Sequence, residues 1–196
     1  MKQTIVFILV IISISFSHSF FDSSSFCVKG GLGGYFSKSS TGYSGYLSAS
    51  ILNKKHSFTF RYIGAKEEDG TGILETPPKL PLESFRDVGL LYGKWFKSER
   101  VEVSGMIGLG LFTGIKRGGF LYADPPIAGP FTVPNSPTSH FDEMAIKTLG
   151  VPLEGNLSFP IGSHIGLGIG IASNLNTKLS YLSGFLSLEV KNLFFN

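Results

Sequence analysis

One cysteine, Cys27, stands in 196 residues. A single thiol forms no internal disulfide and completes no cysteine-based zinc site. Its neighbour also argues against a lipid anchor. Lipid modification of an N-terminal cysteine needs a small residue just before it, and Phe26 stands there. Cys27 is therefore expected to be an inward or interface thiol on the first strand. Charge is sparse as well: 16% of residues are Asp, Glu, Lys or Arg, and the formal net charge is +3. That balance excludes a nucleic-acid surface. Beyond the leader the histidines are His56, His140 and His164, none at metal-ligand spacing from another, so no metal or other cofactor is expected. Gly166, Gly168 and Gly170 are too closely spaced for a dinucleotide fingerprint, and no helix pattern follows them. Past the first twenty residues no run of 18 apolar residues occurs, which excludes membrane-spanning helices.

The first twenty residues read as an address. Lys2 gives a positive start, Ile5 to Ile14 is almost wholly apolar, and Ser17-His18-Ser19 offers the small residues a signal peptidase reads. A spanning helix needs about 20 apolar residues, and this run is shorter. Residues 1–19 are expected to be a signal peptide, and residues 20–196 one exported domain.

What is abundant is glycine, at 25 residues, phenylalanine, at 18, and alternation. Ile165, Leu167, Ile169 and Ile171 alternate with Gly166, Gly168, Gly170 and Ala172. After a polar turn at Ser173–Thr177, Leu182, Gly184, Leu186, Leu188 and Val190 alternate with Tyr181, Ser183, Phe185, Ser187, Glu189 and Lys191. Period two on both sides of a turn predicts a long β-hairpin. Six earlier strands are predicted over Phe26–Phe36, Tyr43–Leu52, His56–Gly64, Phe85–Phe96, Val101–Ile115 and Met144–Phe159. Each has an aliphatic or aromatic face opposite a face of glycine, small polar residues and charge. Pro152 lies inside the sixth and predicts a bulge or local break. Trp95 and Phe96 are expected to join an aromatic girdle.

The connections alternate in length. Turns around Asn53, Lys97 and Gly162 are short, whereas Ala65–Glu83 and Lys116–His140 are long. Proline explains the second long one: Pro125, Pro126, Pro130, Pro134 and Pro137 fall within it, too dense for a central strand. Eight strands with alternating short turns and long loops predict an all-β, eight-stranded antiparallel up-and-down transmembrane β-barrel in the outer membrane, both termini periplasmic. An eight-stranded interior is just wide enough for side chains to fill. The inward set then contains Lys29, Arg61 and Lys191 with Glu102, Glu154 and Glu189, three charges of each sign that must pair. Arg61 is expected within salt-bridge reach of one of those glutamates. The rival reading is a soluble calycin-like barrel with a small apolar ligand inside, which requires Ile165, Leu167, Ile169 and Ile171 to line the cavity.

Several segments carry a family resemblance. Ser57–Tyr62, Asp87–Gly93, Gly114–Gly118, Leu149–Glu154 and Gly166–Gly170 followed by Asn174–Asn176 resemble an uncharacterised family of small exported barrel proteins of Bacteroidota-type bacteria. The match runs from about His56 to Lys191. The resemblance implies a small outer-membrane barrel with no assigned reaction. Phe195, one residue from the end, suits recognition by the barrel-insertion machinery.

Activity is therefore expected in the loops, because binding residues concentrate on loops held by a rigid scaffold. Phe120, Tyr122, Ile127, Phe131, His140 and Phe141 are the candidate contacts, for outer-membrane lipid or for a protein or surface partner reached through residues 65–83 and 116–140. The alternative is that these side chains fold back and cap the barrel mouth. An enzymatic reading, modification of lipid acyl chains, has two possible footholds. A deacylase wants His two residues before Ser on a late strand, but Ile171 stands two before Ser173. His140 with Ser139, Asp142 and Glu143 is the other grouping. The expectation is a non-enzymatic barrel.

Overall fold

The computed structural model describes residues 24–68, 79–98, 100–124 and 138–191. Residues 1–19, expected to be a signal peptide, as well as Ile127, Phe131 and the C-terminal Phe194-Phe195-Asn196, lie outside the described residues. Nine strands follow in order: β1 Ser24–Ser37, β2 Thr41–Asn53, β3 His56–Glu67, β4 Lys79–Leu80, β5 Ser84–Lys97, β6 Glu102–Ala123, β7 Ser139–Pro160, β8 Ile165–Leu175 and β9 Tyr181–Lys191. Eight are long. They pair antiparallel in the order β7-β6-β5-β3-β2-β1-β9-β8, and β7 pairs with β8 to close the sheet. The two-residue β4 lies parallel to Ser139–His140 of β7. No helix is present among the described residues.

The pleat sorts the side chains. Leu32, Leu109 and Leu149 are 76–77% exposed, and Leu90 and Leu186 nearly as much. Alternate positions turn inward and are buried, as with Tyr35, Tyr46, Arg61, Asp87 and Glu189. Ile165, Leu167, Ile169 and Ile171 are each at least half exposed, so they line no cavity and the calycin-like arrangement does not hold. Strand lengths of 11–14 residues in β1, β2, β3, β5, β8 and β9 match the 9–11 residues, roughly, that a tilted strand needs to cross a bilayer.

One end carries the terminal strand ends and the tight turns. At Lys54, the one non-glycine residue with positive φ among those described, the β2–β3 hairpin turns through two residues between Asn53 and His56. The opposite end, here the loop end, carries the connections after β3 and β6, the longest in the chain, together with the short β1–β2 and β8–β9 turns.

Four boundaries differ from the sequence reading. Asn174 is not in a turn: β8 runs on to Leu175, and Asn174 is buried because its amide has a partner inside. Ala65 to Glu67 belong to β3. Lys116–His140 is not a loop throughout, since β6 continues to Ala123 and β7 begins at Ser139, each zipping against the other. Trp95 leaves the outer girdle and turns inward, where its indole N–H donates to Glu102 Oε2 at 3.4 Å; Phe96 stays outward and half-exposed. Pro152 interrupts the β6–β7 ladder without shifting it, because Ile107 faces Leu153 and Gly110 faces Gly150 on either side of the gap. A missing N–H explains the gap.

Candidate functional site

Polar and aromatic side chains gather in two regions, the barrel interior and the β6–β7 extension at its loop end. Strand register stacks the interior into polar layers separated by packed rings.

At the waist sits Arg61, fully buried on β3. Its Nη2 lies 2.6 Å from Asp87 Oδ2, and its Nη1 lies 3.7 Å from Glu154 Oε2 and donates to Leu153 O at 3.0 Å. Asp87 also accepts from Tyr181 Oη at 2.6 Å and from Asn174 Nδ2 at 2.9 Å. Glu154 Oε1 accepts from Tyr46 Oη at 2.6 Å and from Asn156 Nδ2 at 2.7 Å. Charge buried this deeply persists only when paired and hydrogen-bonded. Gly150 makes room for it: a Cβ there would fall 1.9 Å from Asn174 Oδ1.

Near the terminal end, Lys29 Nζ lies 2.8 Å from Glu189 Oε1. Lys191 pairs with Glu102 and lies 3.4 Å from Glu189 Oε2, while Ser158 donates to Glu189. Cys27 is buried beside this group. The six charges singled out from the sequence therefore form two clusters rather than one. Arg61 and Glu154 belong to the waist, and Lys29, Lys191, Glu102 and Glu189 to the terminal end. Sequence reasoning missed Asp87, the closest partner of Arg61. Its signal was available: Asp87 precedes Val88 in a strand whose even positions face out.

At the loop end a third cluster spans the mouth. Arg117 pairs with Glu67, with Nη2 to Oε1 at 2.7 Å, and its backbone N–H donates to Glu83 Oε1 at 3.1 Å. Ser39 and Ser40 donate to Glu83 Oε2 at 2.7 and 2.8 Å. Below it pack Tyr35, Phe85, Phe112 and Tyr181, with Phe85 4.4 Å from Tyr181 between ring centroids.

Beyond the mouth, β6 and β7 continue as a hairpin past Ile115, the last β6 position paired with β5. Phe120 and Tyr122 are 60% and 55% exposed. Phe120 meets Phe141 edge-on at 5.6 Å, and Tyr122 stacks on His140 at 4.4 Å. His140 Nε2 lies 3.0 Å from Asp124 Oδ2. The acid beside His140 is thus Asp124, across the hairpin. Ser139 is adjacent on the same strand, so the pleat turns its side chain to the opposite face from the imidazole.

The chain has the fold of the small outer-membrane barrels. Neisserial surface protein A superposes with a TM-score of 0.56 at 16% identity, covering 88% of this chain and 97% of that one. Ail, the attachment invasion locus protein of Yersinia pestis, superposes with a TM-score of 0.53 at 10% identity, covering 86% and 98%. Ail in complex with the heparin analogue sucrose octasulfate gives a TM-score of 0.53 at 9% identity, covering 86% and 97%. At these identities the likeness is one of fold. No protein-family model and no curated protein matches the chain.

Proposed function

We propose that the chain is an exported outer-membrane barrel with a filled interior, non-enzymatic, acting at the cell surface through its loop end. The observation that carries this reading is the inversion of polarity. Aliphatic side chains cover the outer wall at 76–77% exposure at their most open, while Arg61, Asp87 and Glu189 lie wholly buried inside. That arrangement suits lipid outside and ion pairs inside, and a wall of this kind in water would exceed the apolar patches soluble proteins tolerate.

In this reading residues 1–19 direct export, the insertion machinery places the barrel, and the terminal end faces the periplasm. The motifs quoted above suggest an origin in Bacteroidota-type bacteria. Three stacked polar clusters leave side chains where a channel would run, so transport is not the role. The half-exposed Phe120 and Tyr122, joined by the loop segments 65–83 and 116–140, present aromatic groups to a surface or protein partner. Placement of Ser139 away from His140 supports the non-enzymatic reading over lipid modification.

Fractionation of cells tests the placement. The mature chain is expected in the outer-membrane fraction with heat-modifiable gel mobility; recovery in the soluble periplasm overturns it.

A further inference from the structure

The outer wall is not aliphatic everywhere. Near the loop end a groove of about 660 Å³ opens across β2, β3, β5, β6 and β7. Three cations line it, Lys66 on β3, Arg86 on β5 and Lys147 on β7, all exposed and all outward by the pleat. Register holds them together. Lys66 faces Ser84, two residues from Arg86; Arg86 faces Thr113, and Thr113 faces Lys147. Neighbours of this kind lie about 7–8 Å apart on the diagonal, and two strands apart about 10 Å. No ion pair is made by any of the three among the described residues. The acids next to them in sequence, Glu67 and Asp87, turn away to hold Arg117 and Arg61. On β7, Glu143 lies further toward the loop end, opposite Arg117. Exposed Tyr43 stands at the same level, directly opposite Lys66, which is where an aromatic girdle marks the lipid–water boundary. The floor is bare, because Gly45 also faces outward and a Cβ there would meet nothing within 4 Å.

Cations facing lipid are costly in the hydrocarbon and are tolerated near the interface. Three cations with no ion pair among the described residues, around a glycine-floored groove at that depth, call for an anion that itself sits at the interface. We infer that this groove binds the phosphate of an outer-leaflet lipid head group, with Lys66, Arg86 and Lys147 as its counter-charges and Tyr43 and Tyr62 flanking the lipid. The inference rests on the membrane placement proposed above.

The test uses the purified full barrel in nonionic detergent, with native mass spectrometry to count bound lipid. Phosphatidic acid and diacylglycerol of the same acyl chains are the probes. Phosphatidic acid is expected to bind one per barrel and diacylglycerol not to bind. Replacing the three cations together (Lys66→Ser, Arg86→Ser, Lys147→Ser) is expected to weaken binding about a hundredfold, from about 1 kcal/mol for each cation near a lipid surface. Gly45→Leu, which fills the groove without touching its charges, is expected to lower occupancy as well. Lys94→Ser, an outward lysine at the other end of β5, is expected to leave binding unchanged. Heat-modifiable mobility checks that each variant is folded. Equal binding of both lipids, equal binding by the triple variant, or an equal loss in Lys94→Ser overturns the site. Displacement of phosphatidic acid by excess inorganic phosphate overturns the assignment to a lipid. Failure of the placement reads differently, as recovery of the chain outside the membrane fraction.

Discussion

The waist and the mouth of the barrel each set an arginine between two carboxylates, both on the guanidinium of Arg61 at the waist, but one on the guanidinium and one on the backbone N–H of Arg117 at the mouth. Around Arg61 both acids come from the interior of long strands, Asp87 from β5 and Glu154 from β7, and Asp87 is held in turn by Asn174 near the end of β8 and Tyr181 at the start of β9. Around Arg117 the partners come from strand ends and connections: Glu67 ends β3, Glu83 precedes β5, and Ser39 and Ser40 turn between β1 and β2. Register fixes the first cluster as soon as the sheet closes. The second needs several connections to settle together. Identical groups can thus serve as part of the wall in one place and as a clasp over its opening in another.

The largest expected effect tests the waist. Arg61→Ala leaves Asp87 and Glu154 buried without their cation, and breaking a buried pair in this way costs about 3–5 kcal/mol. Urea unfolding of the refolded barrel in detergent should show a midpoint lowered accordingly. An unchanged midpoint would mean that water or a shifted side chain replaces the guanidinium, and the waist would lose its claim to be sealed.

How much of this was legible follows the same division. The waist and wall rest on period two, and alternation alone places Arg61, Glu154 and Tyr181 on the inward face, where all three are buried. Alternation reports a face and not a partner, so it sets Arg61 inside with Glu102, Glu154 and Glu189 without showing that Asp87 is its nearest acid. Boundaries failed where polarity and strand coincide. Asn174 is polar because it faces Asp87, not because it turns the chain, and Trp95 caps Glu102 rather than lipid. The mouth was not legible at all. Arg117, Glu67 and Glu83 lie at segment ends where the pattern fades, and only the folded connections bring them within reach. The same fading hid the hairpin extension, because Gly118 and Gly119 read as loop while the backbone continues to pair around register shifts between Arg117 and Tyr122.

A smaller effect tests the mouth. Arg117→Ala removes hydrogen bonds to a charged partner, each worth about 1.5–3 kcal/mol when shielded, but Arg117 and Glu67 keep 8% and 11% side-chain exposure. The expected loss is about 1–2 kcal/mol, with amide exchange faster at Glu67 and Glu83 and unchanged at the waist. Raising salt to about 1 M, where the screening length is about 3 Å, should shrink the Arg117→Ala effect and leave that of Arg61→Ala intact. Equal salt sensitivity at both sites would erase the distinction between wall and clasp.

The smallest effect lies beyond the mouth. His140 contacts Asp124 at 3.0 Å and stacks on Tyr122, and half of the Asp124 side chain is exposed. An exposed pair of this kind contributes within about 0.5 kcal/mol, so His140→Ala should leave the unfolding midpoint close to that of the wild type. This variant therefore reads chemistry separately from folding. A lipid-modifying enzyme using His140 as its base would give one lipid profile in cells with the intact gene and another in cells without it, and His140→Ala would fail to restore the first. The expectation here is three identical profiles, because the hydroxyl of Ser139 lies across the strand from the imidazole and the acid at hand is paired from the opposite arm of the hairpin. An altered profile upon deletion, unrescued by a stably folded His140→Ala barrel, would replace surface contact with catalysis as the purpose of the extension.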